Sequence, residues 1–440
     1  MSGGVEATGS FRRLLKHFAM LGGGKTAAGL TGLVYLAIAA KALGAQQLGV
    51  LVLIHAYALA FAELVSFKSW QAVIRYGADD ISRNRPGAFQ RLLRVCFAAD
   101  AAGAILSTAL AAGLAFVLAP IAGLPPETAP LLALYSLVNL FTLKAAATGV
   151  LRLYDRFDLL AMQAQLTPLI RLAGAIIAAA LGWGLTGFVI VWFIGAAAAG
   201  LALPLLGARE LARQGRWGGI ATGGRDARHD GLWRFMIFAN GASTVKLSGT
   251  HIPPLLVGGV LGPAAAGLYK VAFEVANALI KGAQLAEQVI YPELARLISA
   301  GRLGRAARLL PRASLTGFAA GTLFTIILWF FGEPVLARVF SEEFGEARML
   351  LIWLAASGAL AAAASPFEPT LYAFGKPQMV LGAQAVSAAT RILAMLLLLN
   401  LIGLTGAGLA AFIARGVTLG VMVAACIALF RGRRHDKAGA

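Results

Sequence analysis

Residues 95–118 read VCFAADAAGAILSTALAAGLAFVL, twenty-four positions holding a single charge, Asp100. A helix of about 20 apolar residues crosses the hydrocarbon core of a bilayer. Lipid offers no partner to backbone N–H and C=O groups, so such a run reads as a helix that closes its own hydrogen bonds. On either side of it lie similar runs, over approximately 20–42, 49–67, 131–150, 161–181, 185–206, 234–260, 264–290, 313–331, 349–372, 378–400 and 406–430. Gly, Pro and charge mark the junctions, as at Leu124-Pro125-Pro126, Gly182-Trp183-Gly184, Leu261-Gly262-Pro263 and Gly375-Lys376-Pro377. Composition agrees: 59% of residues are hydrophobic and 13% charged, against about 45–50% and about 25% in a soluble domain. The expected fold class is an all-α polytopic membrane protein of about 12 transmembrane helices.

The net charge of +18 does not call for nucleic acid, because the basic residues are sorted by loop. Arg12, Arg13 and Lys16 precede the first span. Lys68, Arg75, Arg83, Arg85, Arg91 and Arg94 follow the second, and Arg152 and Arg156 the fourth. Clusters at 209–234 and 296–312, then Lys376 and a tail from Arg431 to Lys437, complete one side. The alternate loops hold only Lys41, Arg338 and Arg348, beside the acidic group Glu333, Glu342, Glu343 and Glu346. Basic loops stay in the cytoplasm, so both termini are expected there. No small-residue cleavage site follows Ser10–Met20, so the first span is expected to act as an uncleaved insertion signal. Cys96 and Cys426 each lie near the end of an apolar run and imply no disulfide framework.

The two halves of the chain repeat. Leu43-Gly44 and Gly49 match Leu261-Gly262 and Gly267 at an offset of 218, and Val73-Ile74 matches Val289-Ile290 at 216. Leu153-Tyr154 matches Leu371-Tyr372 at 218, and Gly184-Leu185-Thr186-Gly187 matches Gly403-Leu404-Thr405-Gly406 at 219. Six spans per half give repeats of one orientation, a plan for two lobes around a central cavity. The expected lobes are 1–215 and 216–440, joined by the basic, Gly-rich stretch Gly207–Gly231.

Eight basic residues fall inside the spans: Lys25, Lys144, Arg171, Lys246, Lys270, Lys281, Arg391 and Arg415. Each costs about 2.5–3.5 kcal/mol at helix centre on insertion scales. They therefore snorkel, pair, or line a wet cavity. Lys25, Lys144 and Lys270 stand near span ends, where snorkelling suffices, although Lys25 also remains a candidate for the cavity. Lys281 can pair with Glu274 or Glu63, or serve the cavity. Arg171 and Arg391, near mid-span and 220 residues apart, are the stronger cavity candidates, with Arg415 and Lys246 next. The intramembrane acids Glu63, Asp100, Glu274 and Glu368, with Glu287 near an edge, are too few to neutralise them, so an anionic substrate such as a phosphate or pyrophosphate is expected. Glu63, Asp100 and Glu274 are candidates for ion coupling. The seventh span adds Asn240, Ser243, Thr244, Lys246, Ser248, Thr250 and His251 ahead of Pro253-Pro254, a polar, proline-broken segment of the kind that lines transporter sites.

Catalytic motifs are missing. Gly22-Gly23-Gly24-Lys25-Thr26 imitates a phosphate-binding loop, but Ala19 stands where that loop needs Gly and no strand precedes it. No metal-ligand spacing and no serine elbow appear. The chain is expected to be no enzyme and to need no cofactor.

The stretches Gly29-Leu30-Thr31-Gly32-Leu33, Ala42-Leu43-Gly44, Leu48-Gly49 and Phe67-Lys68-Ser69-Trp70-Gln71-Ala72-Val73-Ile74-Arg75-Tyr76-Gly77 resemble the start of Wzx-type polysaccharide flippases. Those belong to the MOP superfamily, with the lipid II flippase MurJ and the MATE exporters. The resemblance implies movement of undecaprenyl-pyrophosphate-linked oligosaccharide across a bacterial inner membrane for O-antigen or lipopolysaccharide assembly, beside polysaccharide-assembly proteins. It carries over no site residue by motif. A MATE-like exporter of cations would want an acidic cleft. A major-facilitator transporter would want Asp where Ile81 stands. A glycan ligase or polymerase would carry a large periplasmic loop, and none is present in the reading.

Overall fold

The computed structural model describes residues 3–67, 69–218, 229–237, 249–277, 297 and 303–438, with side chains described from 27 through 431 of these. Every regular element among the described residues is helical. The helices are α1 (Gly3–Val65), α2 (Ser69–Ser82), α3 (Pro86–Ile121), α4 (Ala129–Tyr135), α5 (Ala145–Leu153), α6 (Phe157–Ala180) and α7 (Gly184–Arg213). They continue as α8 (Ile252–Leu261), α9 (263–277), α10 (Leu303–Val339), α11 (Arg348–Ala364), α12 (Phe367–Ala373), α13 (Pro377–Ile402) and α14 (Thr405–Ala438). Nine helical segments among the described residues are long and apolar enough to cross a membrane. That number and the twelve expected spans agree once three points are counted. The long α1 holds the first two spans in one kinked helix, and spans seven and eight run partly outside the described residues.

The chain divides into two compact units. One comprises 1–42 and 54–247, the other 43–53 and 248–440. In the first, Phe89, Leu93 and Cys96 of α3 pack on Val73 of α2, Val150 of α5 and Leu211 of α7. In the second, Leu310 of α10 meets Leu371 of α12 and Met422 and Cys426 of α14. Both cysteines are free and buried. Outward faces carry Phe116, Val117 and Ile121, or Phe330 and Phe331, all more than 60% exposed. Apolar surface of that density suits lipid.

Backbone geometry supports the duplication. Gly44 interrupts α1 at φ 68, ψ 175, and Gly262 ends α8 at φ 84, ψ 175. Only glycine takes this conformation without strain. Gly184 and Gly403 match likewise, at φ 60 and φ 62. Near the end of the fourth and tenth spans the register differs from the sequence match. Arg156 N donates to Leu151 O at 2.8 Å and Lys376 N to Leu371 O at 3.0 Å, around Asp155 and Gly375 at φ 55 and φ 71. The equivalence there pairs Leu151 with Leu371, offset 220, so the Leu153-Tyr154 match is out of register. Residues 289–290 lie outside the described residues.

Where the first copy of the Leu-Gly motif meets the second, the two backbones touch. A Cβ on Gly49 would stand 1.7 Å from Pro263 O, and one on Gly267 would stand 2.3 Å from Ala45 O. The two contacts are each other's repeat images, since 45 and 263, like 49 and 267, differ by 218. Beside this crossing Glu343, from the acidic turn Glu342–Ala347, accepts a hydrogen bond from Ala45 N at 2.8 Å. It thereby serves one of the orphan N–H groups that open the second half of α1.

The fourth span is broken rather than continuous. A 3₁₀ segment Ser136–Thr142 separates α4 from α5, and Lys144, exposed at the break, offers α5 no side-chain cap. Asp100 takes that role from α3: Ala146 N donates to Oδ2 at 2.8 Å and Ser69 Oγ to Oδ1 at 2.5 Å. One buried carboxylate thus ties the starts of α2 and α5 to α3. Asp100→Ala is expected to lower stability by about 3 kcal/mol, from two charge-assisted hydrogen bonds lost in a buried site. A thermal melt of the purified protein in detergent checks it; an unchanged midpoint would remove Asp100 from the scaffold.

Candidate functional site

Arg171 sits on α6, in the apolar middle of a transmembrane helix, and is only 8% exposed. Its guanidinium lies 4.2 Å over the Trp192 ring of α7 and 5.8 Å from that of Tyr35. Nη1 donates to Tyr35 Oη at 3.3 Å, and Nη2 reaches His55 Nε2 at 3.3 Å. His55 Nδ1 in turn stands 2.6 Å from Tyr135 Oη. Trp192 and Tyr135 are buried, which fixes the cage around the cation. A desolvated cation over an indole face gains about 2 kcal/mol or more, comparable with the cost of placing the charge there. The Nε–H is buried with no hydrogen-bond partner.

Arg391 on α13 is arranged in a parallel way in the other unit. Nη2 donates to Tyr269 Oη at 2.9 Å and Nη1 to Gly249 O at 3.3 Å, while its Nε–H is again buried without a partner. Each arginine is thus held by a tyrosine and keeps donor capacity in reserve. Arg391 and Arg415 of α14 share a cavity of about 30 Å³ with Asn277 and Ser357, walled by Phe273 and Leu354. That is room for one or two waters. Among the described residues no carboxylate stands within ion-pair distance of Arg171, Arg391 or Arg415.

Other expected residues fall elsewhere. Lys246 and Lys281 lie outside the described residues, as does the side chain of Lys25. Glu274 pairs with Lys270, one turn earlier on α9, at 2.7 Å. Lys270 therefore is a paired residue rather than a snorkelling one. Glu63 is half-buried near the end of α1, where its carbonyl accepts Ser66 Oγ. Asp100 is the scaffold carboxylate described above. Of the polar seventh span, 240–248 lie outside the described residues; beyond it the helix breaks at His251, and Pro253-Pro254 open α8 in its first turn, where proline is accommodated. His55 and the tyrosine partners escaped the sequence reading. A lone histidine in the run LVLIHAYALAF carries no spacing signal; its depth in an apolar span is the one hint.

No protein-family profile matches the chain. A curated relative, "Inner membrane protein YghQ" of Escherichia coli (strain K12), is 32% identical over 350 residues, covering 78% of this chain and 97% of the relative. The chain belongs to the YghQ family. Its fold is shared with solved transporters of much lower identity. An inward-facing multidrug resistance MATE family transporter of the MOP superfamily superposes with TM-score 0.68 at 13% identity, covering 95% of this chain and 94% of that one. The lipid II flippase MurJ in an inward closed conformation gives 0.67 at 12%, covering 92% and 86%. The Vibrio cholerae MATE transporter VcmN in its bent form gives 0.59 at 14%, covering 95% and 97%. This YghQ-family chain is therefore an all-α polytopic membrane protein with the MOP-type fold.

Proposed function

We propose that this YghQ-family protein is a transporter of the bacterial inner membrane that flips a lipid-linked oligosaccharide bearing a pyrophosphate, exposing a cationic site to each face in turn. The fold is common to exporters of small molecules and to a lipid flippase, so it does not choose between them. What carries the choice is the set of arginines. Arg171, Arg391 and Arg415 sit at transmembrane depth without a carboxylate at ion-pair distance among the described residues, and two of them keep a buried N–H unused. Guanidinium donors of this kind match phosphate oxygens. A cation exporter would want the opposite charge there. The acids Asp100 and Glu274 are engaged with protein partners, which supports the same reading. The sorting of basic residues by loop supports cytoplasmic termini.

Deletion of the gene followed by leaflet-resolved analysis of lipid-linked glycans tests this. Pyrophosphoryl glycan is expected to accumulate on the cytoplasmic side and to clear when the intact chain is restored. Normal export in a strain with no substituting flippase would overturn the substrate class.

A further inference from the structure

His55 takes no part in the function proposed above, yet it is bound to the residue that matters most there. A guanidinium has donors only. The 3.3 Å contact between Arg171 Nη2 and His55 Nε2 therefore requires a lone pair on Nε2. The imidazole proton then sits on Nδ1 and is donated to Tyr135 Oη at 2.6 Å. Edge-on contacts to Trp192 and Tyr135, with centroids at 4.9 and 5.9 Å, hold the ring in this plane. His55 is half-buried, so part of the ring is not sealed by protein atoms. Arg171 from α6, Tyr135 from α4 and Trp192 from α7 face it, and Tyr35 of α1 shares the Arg171 guanidinium.

We propose that His55 is a proton-binding site whose occupancy is exclusive with the Arg171 contact. A proton arriving from water takes the Nε2 lone pair, and the ring becomes an imidazolium with donors on both nitrogens. Arg171 then faces a donor instead of an acceptor, and a like charge instead of a neutral ring. Its hydrogen bond is lost and the guanidinium is released to an anion. A phosphate group bridging imidazolium and guanidinium accepts a hydrogen bond from each and balances the charge. Protonation and anion binding thus favour one another, reciprocally, as linked equilibria do. The anion half of this inference rests on the anionic-substrate reading; the proton half rests on the Arg171–His55–Tyr135 geometry alone.

The test uses the purified full chain in detergent with farnesyl pyrophosphate, a short polyprenyl pyrophosphate, as probe. Affinity is measured by calorimetry between about pH 5.5 and 8.5, the range in which histidine changes charge, in two buffers of different ionisation enthalpy. The wild type is expected to bind about tenfold more tightly at the acid end than His55→Gln does, and to take up a proton that His55→Gln does not. Titration of the probe itself is common to both proteins and cancels. An identical pH profile and proton count in the two proteins would overturn the proton site. No binding by the wild type at any pH would overturn the anion half together with the substrate class. Nitrogen NMR of the histidines covers the case in which His55→Gln fails to fold. The Nδ1–H signature of His55 is expected in the wild type and is expected to change in Arg171→Ala; an unchanged signature would overturn the coupling.

Discussion

A single methyl group at Gly49 is expected to dismantle the crossing of the two Leu-Gly motifs. In Gly49→Ala the new carbon would lie 1.7 Å from Pro263 O, about half the contact distance of the two atoms. No rotamer relieves it, because the clash is between Cβ and backbone. The helices must separate, and the hydrogen bond from Ala45 N to Glu343 lies at the same place. Overpacking costs about 1–3 kcal/mol when side chains can yield, so a cost of about 3 kcal/mol or more is expected here. Gly113→Ala on α3 is the control: a Cβ there meets nothing within 4 Å, and alanine gains up to about 1 kcal/mol over glycine in a helix. Size-exclusion profiles and melting curves in detergent separate the two. A Gly49→Ala protein as stable as Gly113→Ala would show that the crossing opens freely.

The other large effect concerns the arginines. Arg171→Ala and Arg391→Ala are each expected to reduce glycan export by about 10- to 100-fold, the loss of one charge-assisted phosphate contact, with protein in the membrane fraction at wild-type level. Arg171→Lys keeps the charge but loses the planar face that lies on Trp192, and is expected to recover export only in part. Export is read by leaflet-resolved glycan analysis and abundance by immunoblot. Normal export in both alanine variants and in the double variant would end the assignment of these residues to the substrate.

Much of the fold was legible because its signal is local. Runs of about twenty apolar residues between short polar junctions identify spans whatever the neighbours do. The kink at Gly44 was visible only as a Leu-Gly motif, since the helix resumes at once and the pattern of apolar residues does not change. Long-range roles were hidden. Asp100 read as a candidate for ion coupling because its partners, Ser69 and Ala146, lie 31 and 46 residues away, beyond any spacing rule. Lys270 and Glu274 stand one helical turn apart, an interval that suits a pair, but the nearness of Lys270 to a span end suits snorkelling equally well. Arg171 and Arg391 stood out by depth and by their 220-residue offset. Their tyrosines did not: Tyr35 and Tyr269 are 234 residues apart, off the repeat, so each half found its own way to hold its arginine.

The reciprocal contact at Gly49 and Gly267 has a consequence for ancestry. Because each motif supplies the complement of its own image, one half-length polypeptide meeting a second identical copy would form one such crossing with the same contact made twice, as in an isologous homodimer. Fusion of two such subunits would join them without inventing a new interface. It would also bind them to a shared fate: once the two genes became one, neither glycine could drift alone, because a side chain gained by one subunit's descendant collides with the backbone of the other.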